Sequence, residues 1–408
     1  MDCRVNRGYL RADRKNTVFI SAEVGGAKAP REAGPLDICL AIDCSRSMWG
    51  KKLKMAKEAA AGVVDKLRPT DYISLVRFAT KAKVVMPRRR VESREEIKRR
   101  IGKMGLGLGT ALYDGIRLAY GELAEATGRG EVHASRIVIL TDGEPTEGPK
   151  DERSFASLCR DIRSRGISMT AVGIGKDYKE DLLIGIARVS DGRWCHVRNP
   201  DELPRVFEDV LNDMKSVEVV RPTLQAQLMT GAELTNVYRV GEMVTEITDY
   251  QREDGKYVIP LEDVRAGSAS KIVFKIHIPP NPEGKLRIAK LAVSAPGTEL
   301  TKDIAVESTQ DQSRWGVETD PYPRALLTLA EATVVARQAV SDPTQVGRAQ
   351  ELMETVMRDP AAATEVRKDP SLMGIGSTVL RVTETVAKGR LTEDDKKRLK
   401  QDTTVIRK

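Results

Sequence analysis

The segment Leu36 to Ile42 constrains the fold more than any other part of the sequence. It runs Leu-Asp-Ile-Cys-Leu-Ala-Ile and is nearly unbroken in its apolar character. A strand that is covered on both faces has this pattern, because neither of its faces meets water. Ile137 to Leu140 and Ser168 to Val172 are similar. Such strands belong to mainly parallel sheets with helices on both sides, so an α/β fold is predicted here.

Amphipathic helices are predicted between and after these strands, because apolar residues recur at intervals of three and four. These residues are Leu53, Ala56, Ala60, Val63, Val64 and Leu67, then Leu112, Ile116, Ala119 and Leu123, and last the segment from Leu203 to Met214. Tyr72 to Phe78 alternates instead and, with Lys83 to Met86, predicts a hairpin near one edge of the sheet. Residues 36–214 are therefore predicted to form a doubly wound, Rossmann-like α/β domain.

The apolar period changes to two after this domain, which predicts a β-sandwich over residues 215–310. The strands expected there are Thr223 to Leu228, Tyr257 to Leu261, Lys271 to Ile278, Leu286 to Val293 and Leu300 to Val306. Thr17 to Val24 also alternates, so residues 1–35 are predicted to add their strand to the same sandwich, leaving the α/β domain inserted. Residues 311–408 predict a C-terminal helical bundle, in which Pro343, Pro360 and Pro370 separate the helices. The helices expected there are Ala325 to Val340, Gln345 to Met357, Ser377 to Lys388 and Thr392 to Ile406.

Composition restricts the classes of partner. The chain of 408 residues carries a formal net charge of +8, but its basic clusters lack interleaved aromatic residues, so we expect no nucleic-acid partner. No stretch approaches the roughly 20 apolar residues that cross a bilayer, and no apolar leader is recognisable, so no membrane partner and a cytoplasmic location are expected. The five cysteines are widely spaced, which favours reduced thiols.

Polar oxygens gather where the predicted parallel strands end. Asp43, Ser45 and Ser47 follow the first strand, Thr110 opens a helix after a glycine-rich turn, and Asp142 follows the strand from Ile137. Open α/β sheets bind ligands at this carboxyl edge. Hydroxyl and carboxylate oxygens are the ligands that Mg²⁺ accepts, with Mn²⁺ or Ca²⁺ as alternatives.

The three segments DxSxS, a Gly-Thr helix start and Thr-Asp-Gly, in this order, resemble the metal-ion-dependent adhesion site (MIDAS) of von Willebrand factor A (VWA) domains, here of an intracellular microbial type. The resemblance covers about residues 36–214. It implies that Ser45, Ser47 and Thr110 reach the metal through their hydroxyls, and that Asp43 and Asp142 hold it mainly through waters. It also implies one open coordination position, which an Asp or Glu of a partner protein fills.

Three further residues are candidates for partner binding. Arg46 stands at a variable position of the first loop and would attract an acidic partner or simply face solvent. Trp49 would be an exposed anchor or would pack internally. Glu144 would tune the metal from beyond its direct ligands or be an exposed turn residue. Cys44, beside the metal loop, is expected to be a structural or incidental thiol.

Other site chemistries fit the sequence less well. Gly105 to Gly109 is neither a dinucleotide fingerprint nor a P-loop, so its glycines are assigned to a backbone turn. The three histidines lie in unrelated contexts, so no enzymatic activity is expected. The sequence thus favours a non-enzymatic, metal-dependent protein interaction module. An accessory VWA subunit of an ATPase-driven or kinase- and phosphatase-associated system is the alternative, and the oligomeric state is left open.

Overall fold

The computed structural model describes residues 1–25, 34–128, 133–220, 222–240, 244–248, 250–253, 255–295 and 298–389, with Lys396 and Leu399. The chain forms two units. One is Ala29–Val220, which we call the α/β unit, and the other combines Met1–Lys28 with Arg221–Lys408 and is called the β/α unit. The β/α unit is therefore discontinuous in sequence. Among the described residues, no helix is both long enough and apolar enough to cross a bilayer.

The β/α unit begins with three strands, β1 (Asp2–Val5), β2 (Tyr9–Arg11) and β3 (Asn16–Gly25). The α/β unit then contributes its own six-stranded sheet. Its strands are β4 (Leu36–Asp43), β5 (Tyr72–Phe78), β6 (Ala82–Arg90), β7 (Ala134–Thr141), β8 (Ile167–Ile174) and β9 (Arg193–Val197). They lie in the order β6-β5-β4-β7-β8-β9, and only β6, at one edge, is antiparallel to its neighbour. The predicted edge hairpin is thus confirmed.

Helices cover both faces of this sheet. They are α1 (Lys51–Lys66), α2 (Arg94–Gly102), α3 (Leu112–Gly128), α4 (Glu152–Ser164), α5 (Glu180–Val189) and α6 (Leu203–Lys215). Ile38, Leu40 and Ile42 of β4 pack on one side in a cluster with α1, α2 and α6. Cys39 and Ala41 pack on the other side with α3, α4 and α5. Every residue of β4 is buried, as expected of a strand that is covered twice.

The β/α unit resumes with further strands after the short β10 (Val217–Val219). These are β11 (Thr223–Leu228), β12 (Glu233–Val240), β13 (Val244–Glu246), β14 (Gln251–Glu253), β15 (Lys256–Pro260), β16 (Val264–Arg265), β17 (Ala269–Ile278), β18 (Gly284–Ala295) and β19 (Thr298–Thr309). One sheet has the order β1-β3-β17-β12-β13 and the other β14-β15-β11-β18-β19-β2. The predicted strand at Thr17 to Val24 lies in β3 and pairs along its length with β17.

Four helices follow, α7 (Tyr322–Ala339), α8 (Val346–Arg358), α9 (Pro360–Lys368) and α10 (Pro370–Ala387). They share a core with Tyr238, Val240, Val244 and Val273 of the first sheet. The proline positions do separate helices, but Pro360 and Pro370 are the first helical residues, capped by Asp359 and Asp369. Proline is tolerated there because the first N–H of a helix has no partner within it. A further helix predicted at Thr392 to Ile406 lies outside the described residues, except for Lys396 and Leu399.

A buried ion pair ties α6 to the sheet of the α/β unit. The guanidinium of Arg136 on β7 binds the carboxylate of Asp213 on α6, and its Nε donates to Ser168 Oγ at 3.0 Å. The side chains of Arg136 and Asp213 are only 3% and 5% exposed. Arg193 on β9 lies farther away, 3.6 Å from the other carboxylate oxygen of Asp213. A buried charge that loses its closest partner is costly, so stability depends on the pair of Arg136 and Asp213.

We expect Arg136→Met to lower the free energy of unfolding by about 3 kcal/mol, because the buried carboxylate of Asp213 loses its closest cation while the contact with Arg193 is longer, at 3.6 Å. Urea unfolding followed by tryptophan fluorescence measures this loss. The control is Lys54→Met, whose pair with Glu58 is exposed and should change stability by less than about 1 kcal/mol. The double variant Arg136→Met, Asp213→Leu should recover much of the loss. If it is no more stable than the single variant, the buried charge left on Asp213 is not the cause.

Candidate metal centre

The parallel pairing of β4 and β7 brings two polar loops to the same edge of the sheet. The register pairs Ile42 with Leu140, so the next residues, Asp43 and Thr141, end neighbouring strands side by side. Thr141 Oγ1 donates a hydrogen bond to Asp43 Oδ2 at 2.6 Å. Both residues are buried. This bond joins the first loop of the site, which follows β4, to the third loop, which follows β7. The second loop leads into α3.

Asp43 also shapes the loop that follows it. Its Oδ1 accepts a hydrogen bond from the backbone N–H of Ser45 at 2.7 Å, and a single 3-10 turn spans Arg46–Met48. Met48 is fully buried and anchors this turn in the core. Burial raises the pKa of Asp43 to about 6, while the hydrogen bonds from Thr141 and Ser45 act in the lowering direction.

Ser45, Ser47 and Asp142 form a continuous chain of polar contacts. The hydroxyl oxygens of Ser45 and Ser47 are 2.9 Å apart, and Ser47 Oγ donates to Asp142 Oδ1 at 2.7 Å. Ser45 and Asp142 are buried, whereas Ser47 is exposed. The structure therefore brings together four of the five predicted metal ligands through direct hydrogen bonds, and the middle of this chain, at Ser47, faces solvent.

Thr110, the fifth predicted ligand, is held between the other two loops by its backbone. Its N–H donates to Thr146 Oγ1 at 2.8 Å, and its carbonyl oxygen accepts from Thr146 N at 3.1 Å. Two residues earlier, the carbonyl of Leu108 accepts from Arg46 N at 3.3 Å. Thr110 is only 4% exposed, and its hydroxyl forms no hydrogen bond with the described residues. That hydroxyl is therefore available as a donor or ligand.

Close packing explains the glycines that precede Thr110. A Cβ at Gly107 would lie 2.5 Å from the Cβ of Ala79, and one at Gly109 would lie 2.5 Å from Glu147 Oε1. The loop approaches its neighbours too closely for side chains at these positions. The assignment of these glycines to a backbone turn is consistent with this packing.

Lys52, on the first turn of α1, adds a positive charge to the site. Its Nζ lies 2.5 Å from Asp142 Oδ2, the carboxylate oxygen that Ser47 does not use. Asp142 is completely buried, and the Lys52 side chain is 29% exposed. Lys52 could not be recognised as a site residue from the sequence, because its contact with Asp142 depends on the rotation of α1 about its axis. Thr141 was also missed as a partner of Asp43.

The remaining candidates differ in their environments. Arg46, Trp49 and Glu144 are all exposed, and Trp49 has 76% of its surface accessible. Among the described residues, no carboxylate lies within ion-pair distance of Arg46. Cys44 is buried, and burial raises the pKa of its thiol to about 11, so it is protonated at neutral pH. The histidines are not gathered at the site, since His196 binds Tyr178 and His277 binds Thr17.

Comparison with known proteins identifies the α/β unit. A family model for the von Willebrand factor type A domain matches residues 37–209. This segment is a VWA domain. A solved von Willebrand factor type A structure from Catenulispora acidiphila covers 100% of this chain and 97% of its own, with a TM-score of 0.78 and 18% identity. An identity this low shows the shared fold alone.

Curated relatives extend the similarity beyond the VWA domain. An uncharacterized protein of Synechocystis is 26% identical over 306 residues, which span 73% of this chain and 71% of that protein. The uncharacterized protein YfbK of Escherichia coli is 25% identical over 279 residues, covering 67% of this chain but only 47% of its own length. The chain thus spans about half of this second relative.

The contact of Lys52 with Asp142 leads to a stability prediction. In chelator, Lys52→Met should lower the free energy of unfolding by about 2 kcal/mol, because the buried carboxylate loses a charged donor. The matched control is Lys51→Met. Lys51 pairs with Asp201, and these side chains are 58% and 49% exposed, so its loss should cost less than about 1 kcal/mol. Equal losses in the two variants, measured by urea unfolding, would contradict the role given to Lys52.

Proposed function

We propose that the VWA domain is a non-enzymatic protein interaction module that binds an acidic residue of a partner through a divalent metal ion. Its metal ligands are Asp43, Ser45, Ser47, Thr110 and Asp142, and the ion is Mg²⁺, with Mn²⁺ or Ca²⁺ as alternatives. The observation that carries this proposal is the chain of contacts from Ser45 through Ser47 to Asp142 at the end of two parallel strands. Oxygen atoms alone make up this chain, as hard cations require.

The proposed metal ligands are of two kinds, neutral hydroxyls and negatively charged carboxylates. The hydroxyls of Ser45, Ser47 and Thr110 suit direct contact with the ion. Both oxygens of Asp43 already accept hydrogen bonds, from Ser45 and Thr141, which favours a role through water and in holding the loop. When bound, the ion supplies a Lewis-acidic position that an external carboxylate can occupy.

Charge balance favours an acidic partner. The carboxylates of Asp43 and Asp142 together match the charge of a divalent ion. Lys52 pairs with Asp142, and Arg46 stands exposed on the same loop as the serines, so these two residues place positive charge beside the first loop of the site. Positive charge at this position attracts a carboxylate and increases the rate at which it arrives.

The arginines at the end of β6, Arg88 to Arg90, and Arg100 on α2 give little support to a nucleic-acid partner. Arg88 binds Asp37 at 2.7 Å and lies over the ring of Tyr72, with 3.8 Å to its centroid. Arg89 and Arg100 both pair with Glu96. These charges are largely used within the domain, so they offer few free contacts to phosphates. The partner proposed here is a protein, and the cytoplasmic location predicted from the sequence is part of this proposal.

Removal of single hydroxyls should weaken metal binding. We expect Ser45→Ala and Ser47→Ala each to raise the dissociation constant for Mg²⁺ at least about tenfold, because each removes one oxygen ligand. Calorimetric titration of chelator-treated protein measures this constant. Ser164→Ala, which changes an exposed serine on α4, is the matched control. Equal affinity in all four proteins would exclude this ligand set.

The same variants test the link to a partner. Proteins retained on immobilised wild-type protein in Mg²⁺ should be released by chelator, and Ser45→Ala and Asp43→Ala should not retain them. Partners that stay bound regardless of metal and substitution would show that the interaction lies elsewhere on the chain.

Substitution of Lys52, in contrast to the serine substitutions, should strengthen metal binding. Lys52→Met should lower the dissociation constant for Mg²⁺ by about tenfold, because its ammonium competes with the ion for Asp142 and also repels it. Lys51→Met should leave the constant nearly unchanged, since Lys51 pairs with Asp201 instead. Weaker Mg²⁺ binding by Lys52→Met would show that the ion and the ammonium do not share Asp142.

A further inference from the structure

In the part of the VWA domain that the structure describes, the large exposed apolar side chains lie on the loops of the candidate metal centre. Among the described residues of the α/β unit, the large apolar side chains that stand exposed are Trp49, Leu106 and Leu108, at 76%, 43% and 73%. The others in the described chain, from Leu300 to Leu380, are in the β/α unit and are 44–47% exposed. Single exposed apolar residues are common on protein surfaces, but a cluster on functional loops indicates an interaction site.

Backbone hydrogen bonds hold these loops side by side. The N–H of Gly107 donates to the carbonyl of Cys44 at 2.7 Å, and the N–H of Arg46 donates to the carbonyl of Leu108 at 3.3 Å. These bonds flank Ser45, whose hydroxyl belongs to the oxygen chain of the site. Leu106 and Leu108 therefore lie on a segment that runs directly along the first metal-binding loop, from which Trp49 also extends.

The fold does not require apolar side chains at these positions. Each loop has its own buried anchor, Met48 in the first and Met104 in the second, at 0% and 3% exposure. The glycines and backbone bonds set the path of the second loop, as described above. A polar side chain at Leu106 or Leu108 would leave these contacts intact, so neither the core nor the path of the loop accounts for the exposed apolar surface.

We propose that Trp49, Leu106 and Leu108 form an apolar rim that binds apolar side chains flanking the partner's carboxylate. The partner would thus present a segment in which an Asp or Glu has apolar neighbours, and this rests on the proposed function of the site. The positive charges of Arg46 and Lys52 complement the partner's carboxylate, while the apolar rim complements the apolar side chains beside that carboxylate. Large aromatic and aliphatic anchors contribute most of the binding free energy in many interfaces.

Two-part recognition of this kind explains how the site selects a partner. A metal ion alone discriminates poorly, because most proteins expose acidic residues. Burial of a Trp and two Leu side chains against apolar neighbours adds a favourable contribution that scales with the buried area and requires a particular sequence. The carboxylate makes binding metal-dependent, and the rim determines which carboxylate is bound.

Selection from a random phage-displayed peptide library tests this proposal. Peptides would be bound to the immobilised full-length protein in Mg²⁺ and eluted with chelator. Wild-type protein should enrich peptides in which Asp or Glu has apolar residues within two positions. Trp49→Ser and Leu108→Ser should still enrich acidic peptides but without the apolar neighbours, and Leu300→Ser, far along the sequence in β19, should behave as wild type.

The affinities then give the size of the effect. The most enriched peptide should bind Leu108→Ser at least about tenfold more weakly than wild type, as expected of an interface anchor. Calorimetry should show unchanged Mg²⁺ affinity in this variant. The rim alone would be overturned if wild-type protein enriched acidic peptides without apolar neighbours. It would also be overturned if the most enriched peptide bound wild type and Leu108→Ser with equal affinity. Recovery of no chelator-eluted peptide from wild-type protein would overturn the proposed function and the rim with it.

Discussion

The hydrogen bond from Thr141 to Asp43 connects the sheet to the site. It forms because β4 and β7 are parallel neighbours in a register that ends both strands at the same level. Asp43 then directs the turn that carries Ser45 and Ser47, and Asp142 follows Thr141 directly. The oxygen chain is thus a consequence of strand pairing, and its geometry depends on the buried core beneath it. A site on rigid strand ends loses little entropy when it binds a ligand.

Lys52 stabilises the negative charge of the buried Asp142 carboxylate. Asp142 is completely buried, and an isolated buried carboxylate would be strongly unfavourable. The ammonium supplies the missing positive charge from a flexible side chain that remains partly exposed, so it can move away. Under the proposed function, this pairing keeps the buried carboxylate ready for an ion without a large loss of stability while the ion is absent.

The sequence allowed much of this architecture to be predicted, for identifiable reasons. The apolar strands are continuous, and parallel strands end at one edge of their sheet. These two facts are enough to predict from the sequence that Asp43, Ser45 and Asp142 lie together. The contact of Lys52 could not be predicted, because it depends on how α1 packs. The exposure of Leu108 could not be predicted either, since an apolar residue is ordinarily expected to be buried. The predicted start of the last described helix at Ser377 is wrong: α10 begins at Pro370, because proline fits the first position of a helix as well as the position that breaks one.

The discontinuity of the β/α unit has a consequence for biosynthesis. Ile20 of β3 pairs with Phe274 of β17, and the whole VWA domain is encoded between them. At translation rates of roughly 5 to 20 residues per second, β3 waits about 10 to 50 seconds for its partner to be made. During that interval β3 has only the short β1 to pair with, and the apolar side chains of Val18 and Ile20, fully buried in the folded unit, lack the rest of their sheet. The nascent chain therefore carries a strand with one open edge until the later segment emerges.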